Sequence, residues 1–193
     1  MWPDSWRVTA VEIDERVAAE YARRYPYDDV AVGDAHAFVI SRAHEFDAVW
    51  TSPPCPTHSR LAVNVAKRKG VEPEPDPRLW CEVEHLQKLG GRYVVENVHT
   101  YYDPPIAPDV VTRRHYYWTS GAPGLLTWEH PLPVSGRMTG LTADAIAESY
   151  GLPKLPAGSV PDRRQAMRNA VTPREGLEIA LAAFEGDDAR ADQ

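Results

Sequence analysis

VTAVEIDERVAAEYARRYPYDDVAVGD, residues 8–34, changes its hydrophobic period twice. Residues 8–13 are mostly apolar and read as a short buried strand that ends on an acid. Asp14 stands where a helix N-cap belongs, and Val17, Ala18, Tyr21, Ala22 and Tyr25 then recur at helical spacing. Pro26 stops that helix, and Val30-Ala31-Val32 returns to strand before Gly33-Asp34. Strand, helix and strand in such quick succession predict a parallel crossover unit.

The alternation continues outward. Phe46 to Trp50 reads as a third strand, running into Thr51-Ser52-Pro53-Pro54-Cys55-Pro56. A helix is predicted over 78–89, with Leu79, Val83 and Leu86 on one face and Gly90-Gly91 at its end. Tyr93-Val94-Val95 forms a fourth strand that meets Glu96-Asn97. The expected fold class is therefore α/β, an open and mostly parallel sheet flanked by helices. Ligands collect outside the carboxyl ends of such strands, and Glu12, Asp34, Cys55 and Glu96 all fall there. After residue 100 the pattern changes. Pro104, Pro105 and Pro108 mark a loop, Arg114 to Trp118 reads as an aromatic strand, and 121–162 is rich in Gly and Pro, with a short helix over 143–150. Thr172-Pro173-Arg174-Glu175 has the capping threonine, first-turn proline and third-position glutamate of a helix start, with Leu177, Leu181 and Phe184 on one face beyond it.

Composition narrows the class. With 193 residues, 43% hydrophobic and 25% charged, the chain is an ordinary globular protein and not collagen-like, coiled-coil or wholly disordered. No apolar run reaches the ~20 residues of a membrane span. The N-terminal residues lack the succession of a signal peptide, and two cysteines, Cys55 and Cys81, make no disulfide framework, so a cytoplasmic location is expected. Twenty-one Lys and Arg against 28 Asp and Glu give a net charge of −7, the wrong sign for nucleic-acid binding by bulk electrostatics. Basic residues nevertheless cluster at Arg60 with Lys67 to Lys69, at Arg113-Arg114, and at Arg163-Arg164 with Arg168 and Arg174. Such local patches leave contact with a phosphate backbone open.

The strand-tip residues suggest chemistry. A carboxylate at the place of Glu12 can accept ribose hydroxyls, or simply cap the helix that follows, and Asp34 can accept from an adenine amino group. Cys55 sits in a stiff, proline-framed turn, the presentation a nucleophilic thiol needs, although a lone cysteine also serves as a small buried hydrophobe. Glu96 on the neighbouring strand can protonate or grip a heterocyclic nitrogen. Cys55, His58, Cys81 and His85 have spacings that a zinc site could use, but Cys81 falls beside Trp80 and Val83 and is read as a packing residue.

Ser52 to Ser59 (SPPCPTHS) followed by Tyr93 to Val98 (YVVENV) resembles the catalytic pair of motifs in DNA (cytosine-5) methyltransferases. Val11 to Asp14 resembles the family's ribose-binding strand, and Val32 to Ala35 its adenine-contacting turn. Asp76 to Trp80 is similar to the helix before the glutamate strand, Arg113 to Trp118 to the basic strand near the target base, and Arg168 to Pro173 to the closing Asn-Ala-Val-x-Pro motif. The motifs stand in family order over much of the chain. Three departures accompany them. The family's Phe-x-Gly-x-Gly loop and the strand before it have no counterpart after Met1. Tyr116 stands where a second arginine is usual. Only about 45 residues separate the basic strand from the closing motif, as in compact phage-type members.

The resemblance implies a Rossmann-like methyltransferase sheet whose first strand is missing, and a transfer of methyl from S-adenosylmethionine to C5 of cytosine in DNA through a cysteine adduct. It implies Cys55, Glu96 and Arg114 as catalytic, and Glu12, Ile13, Asp34, Ala35, Pro54 and Asn169 around the cofactor. Arg60, Arg113, Arg163, Arg164 and Arg168 would meet DNA, and no metal is implied. The organisation it suggests is a catalytic core over 1–120, a reduced target-recognition segment over 121–162, a C-terminal helix returning to the core over 163–184, and a disordered acidic tail over 185–193. A second chain or an upstream segment is expected to supply the missing strand. The alternatives are an inactive or partner-dependent methyltransferase-like DNA-binding protein, and a zinc-stabilised nucleic-acid binding module.

Overall fold

The computed structural model describes residues 2–72, 74–121 and 140–185. Residues 122–139 of the Gly- and Pro-rich segment and the expected acidic tail beyond 185 lie outside them. The chain is mixed α/β and divides into two compact units, Met1–Ala35 with Glu129–Glu178, and His36–Trp128 with Ile179–Gln193.

The first unit opens with β1 (Thr9–Glu12), α1 (Glu15–Arg24) and β2 (Asp29–Val32), and β1 and β2 pair in parallel. Asp14 caps α1, its side chain accepting from the amides of Arg16 and Val17. The apolar face expected on α1 is corrected at its C-terminal half, where Ala22 and Tyr25 are exposed and Glu20 is buried. The physical reason is local: Arg23 and Arg24 both bond the Glu20 carboxylate, at 2.8 and 2.7 Å, and hold it well below the usual range, at about 2. This unit's core is built from α5 (Ala143–Tyr150) and α6 (Arg163–Asn169), with Ile146, Ala147, Tyr150, Leu155, Val160 and Met167 packed together. Thr142 and Asp162 cap the two helices through their side chains. α7 (Pro173–Phe184) begins in this unit and from Ile179 onward belongs to the second, and the Glu175 amide donates to Thr172 Oγ1 as its capping residues predict.

The second unit holds α2 (Ala35–Arg42), a 3-10 turn at Ala43–Glu45, β3 (Ala48–Thr51), α3 (Arg60–Arg68), α4 (Arg78–Leu89), β4 (Arg92–Val98), β5 (Val110–Val111) and β6 (His115–Thr119). Its sheet runs β3-β4-β6-β5. The β3–β4 pair is parallel with a helical crossover, whereas β6 lies antiparallel to both β4 and β5. The expectation of a mostly parallel sheet therefore holds only up to β4. The connection from β4 to β6 carries no helix, and a return without a helical crossover pairs antiparallel.

α4 matches its predicted bounds. Gly90 ends it at φ 74°, a left-handed conformation that glycine adopts without a Cβ penalty. Leu79, Val83 and Leu86 are buried and pack with Val39, Ala43, Tyr93, Val95 and Trp118. Full burial of each such leucine or valine contributes about 1.5–3 kcal/mol. Glu82 lies on the same face and is 1% exposed. It is retained there because Thr51 Oγ1 donates to one carboxylate oxygen at 2.6 Å and His36 Nδ1 meets the other at 2.8 Å. Cys81 is exposed, which corrects its reading as a packing residue: two positions on from Leu79, it lies on the side of the helix opposite the stripe 79, 82, 83, 86.

Candidate active site

β4 is the central element of the site. Tyr93 to Asn97 are buried on both faces, so the two polar residues that close the run, Glu96 and Asn97, require partners. The last parallel register pair is Thr51↔Val95. Glu96 is one residue beyond it on β4, and Cys55 is four beyond it on the loop that leaves β3. Parallel neighbours about 4.8 Å apart thus place both residues at the same carboxyl end of the sheet.

Four contacts fix the loop to the end of β4. Asn97 Nδ2 donates to the Pro53 carbonyl at 2.9 Å, in the buried interior. Ser59 and Thr100 form an antiparallel bridge. The Tyr101 amide donates to the His58 carbonyl at 3.1 Å. His58 Nδ1 lies 2.6 Å from the Tyr102 hydroxyl, which also accepts from Trp80 Nε1 at 3.2 Å. Between these anchors the Cys55 carbonyl accepts from the amides of His58 and Ser59, a tight turn that leaves Cys55 half-buried. His58 is fully enclosed, and burial pushes its imidazole below the ordinary value while Asp76 opposes that shift. Asp76 itself is held down to about 2 by the Arg78 guanidinium.

Glu96 faces β6. The antiparallel ladder pairs Glu96 with Tyr117 and Val98 with His115, so Glu96, Tyr117 and His115 share one face of the sheet. His115 Nε2 is 3.5 Å from Glu96 Oε1, with both side chains almost wholly enclosed. His115 Nδ1 is 3.4 Å from the Tyr117 hydroxyl. Arg113 and Arg114 lie in the β5–β6 turn, where the Arg114 amide donates to Thr112 Oγ1 at 3.5 Å. Sequence reasoning missed His115; the signal available was its place between two aromatic residues and an arginine pair on a strand that had to lie against β4.

In the first unit, Glu12 and Gly33-Asp34 come to one end of the β1–β2 pair, and the Gly33 amide donates to the Glu12 carbonyl at 3.0 Å. Glu12 Oε1 accepts from the Asp14 amide at 2.9 Å. Ile13 beside it is 70% exposed, and Asp34 and Ala35 are also exposed. A bare aliphatic side chain flanked by two carboxylates at a strand end fits an adenosine, with an apolar surface for the base and acceptors for hydroxyl and amino groups. Asn169 ends α6 and is exposed.

Of the residues expected at DNA, Arg60 starts α3. Arg163 pairs with Asp144, and Arg164 Nε donates to the Leu141 carbonyl at 2.9 Å. Arg168 is half-buried in the last turn of α6. His58 and Cys81 do not share a surface, one being enclosed and the other exposed, and among the described residues no three His, Cys, Asp or Glu side chains are grouped to hold a metal ion. Nor is any helix among them long and apolar enough to cross a membrane. Comparison with known protein families, curated proteins and solved structures finds no match to this chain.

Proposed function

We propose that this chain is a compact DNA (cytosine-5) methyltransferase with a Rossmann-like sheet, in which Cys55 is the covalent nucleophile and Glu96 the acid. The observation that carries the reading is the pinned loop: Asn97, next to Glu96, bonds the carbonyl of Pro53, two residues before Cys55. A nucleophile and an acid on adjacent strand ends, joined by a buried hydrogen bond, are what addition to an electron-poor heterocycle requires.

C5 of cytosine is a weak nucleophile, so activation comes first. The Cys55 thiolate forms a bond to C6 of an extruded cytosine, the C5–C6 π pair shifts to C4–C5, and the C4–N3 π pair takes the Glu96 proton at N3. S-adenosylmethionine, when bound, supplies the methyl group for C5 and leaves as the neutral thioether. Glu96 then recovers the N3 proton as the C4–N3 π bond re-forms. Loss of the C5 proton to solvent base restores the C5–C6 double bond and expels the Cys55 thiolate. Glu12, Ile13, Asp34, Ala35, Pro54 and Asn169 are assigned to the adenosine, and Arg114 to charge beside the base. Arg60, Arg113, Arg163, Arg164 and Arg168 are assigned to DNA phosphates, where local basic patches offset the net charge of −7.

Polymerase-made DNA carrying 5-fluorocytosine tests the reading, because fluorine at C5 blocks the final elimination. Wild type is expected to form a denaturation-resistant adduct in the presence of S-adenosylmethionine. Cys55→Ala abolishes it, and Cys81→Ala, at an exposed position, leaves it intact. An adduct that survives Cys55→Ala removes the assignment.

A further inference from the structure

The Glu96 carboxylate has two oxygens, and only one can face a base. The antiparallel register puts His115 diagonally across from Glu96 on the same sheet face, with Nε2 3.5 Å from Oε1. Both side chains are more than nine-tenths enclosed, so neither can rely on water to orient it. His115 is itself held from behind: its Nδ1 lies 3.4 Å from the hydroxyl of Tyr117, which is fully buried and packs edge-on against Trp50 with ring centroids 6.0 Å apart. A Tyr117 hydroxyl that donates to Nδ1 would leave the imidazole hydrogen on Nε2, directed at Glu96.

We propose that His115 is the positioning residue for Glu96, holding Oε1 so that Oε2 is presented to the ring nitrogen of the target base. This rests on the function proposed above and adds a residue to it. Strand alternation gives the face of Glu96 to His115 and Tyr117, whereas Tyr116 and Trp118 pack into the core on the other face, and Arg114 precedes β6 in the turn. As the proton passes from Glu96 Oε2 to N3, the negative charge left on the carboxylate spreads to Oε1, where the Nε2–H of His115 meets it. His115 itself neither gains nor loses a proton in this step.

Steady-state methyl transfer from tritiated S-adenosylmethionine to unmethylated plasmid DNA, with His115→Phe and His115→Gln, tests it. Misplacement of a reacting group by about 1 Å costs on the order of 100-fold. His115→Phe is accordingly expected to lower kcat by roughly 10- to 100-fold with KM for DNA nearly unchanged. His115→Gln, whose amide can still donate to Oε1, recovers part of the loss. A second readout needs no turnover. In imidazole nitrogen NMR spectra His115 is expected as the Nε2–H form, and its signal moves on Glu96→Gln but not on Cys55→Ala. An unchanged kcat in His115→Phe, a loss confined to KM, a glutamine no better than phenylalanine, or a His115 signal indifferent to Glu96→Gln overturns the assignment. A wild type that transfers no methyl and forms no fluorocytosine adduct overturns the proposed function instead, and the inference with it.

Discussion

Removing the Asn97 side chain should loosen the nucleophile loop and weaken the second unit together. Asn97 is 1% exposed, and its Nδ2 donates to the buried Pro53 carbonyl at 2.9 Å while its Oδ1 accepts from the Val98 amide at 3.0 Å. A proline carbonyl only accepts, so the amide nitrogen is the half of Asn97 that must face it. In Asn97→Ala the Pro53 carbonyl stays buried without its donor, at a cost of about 1–3 kcal/mol. Loss of the second bond adds about 0.5–1.5 kcal/mol, for a total of roughly 1.5–4.5 kcal/mol. In a chain of this size that lowers the melting midpoint by roughly 3–18 °C. Asn97→Asp should be at least as damaging, because it keeps an acceptor toward Val98 but turns a carboxylate toward the Pro53 carbonyl. Urea unfolding followed by tryptophan fluorescence reports on this unit through Trp50, Trp80 and Trp118. The rate at which Cys55 reacts with a disulfide reagent, measured in Cys81→Ala to silence the exposed thiol, should rise in both variants. A change under about 0.5 kcal/mol in Asn97→Ala, or an aspartate milder than alanine, refutes the reasoning.

Two further outcomes follow from the buried polar groups. Thr51→Val keeps shape but takes the 2.6 Å donor from the buried Glu82 carboxylate; a bond to a charged group carries about 1.5–3 kcal/mol, so the urea midpoint should fall accordingly. Acid should destabilise the protein in two windows. Burial depresses His58, so the unfolded chain takes up its proton first, and this contribution is full above 6.5 and lost as pH falls through the lower folded value. Asp76, held to about 2 by Arg78, keeps its contribution above the ordinary 3.8 and loses it as pH falls toward 2. Urea titrations from pH 7 to 5 should slope by at most about 1.4 kcal/mol per pH unit from His58, and His58→Asn should flatten that slope while keeping most of the lower window, which the Arg78 guanidinium sets.

Local order decided much of what was legible in the chain. Asp14, Thr172 and Gly90 act on backbone groups within four residues of themselves, so α1, α7 and α4 were readable where these residues stand. The period of Leu79, Val83 and Leu86 named a buried face for the same reason, and the carboxyl ends of β1 to β4 placed Glu12, Asp34, Cys55 and Glu96 before any pairing was known. The helix at Ala35–Arg42 was not legible, since Ala37 to Ile40 is an unbroken apolar run that sets no helical period, whereas Leu61, Ala62, Val65 and Ala66 in Arg60–Arg68 do recur at helical spacing and carried a signal. Tertiary structure alone decided which polar groups are enclosed together. Glu82 lies 31 residues from Thr51 and 46 from His36, and Asn97 lies 44 from Pro53. Spacing carries no information about such pairs, because they form only where a strand register and a helix docking bring two segments into one dry interior. His115 is the clearest case. Its partner is set by the antiparallel register of β6 on β4, and a slip of one residue would have given that face to Arg114 or Tyr116 instead.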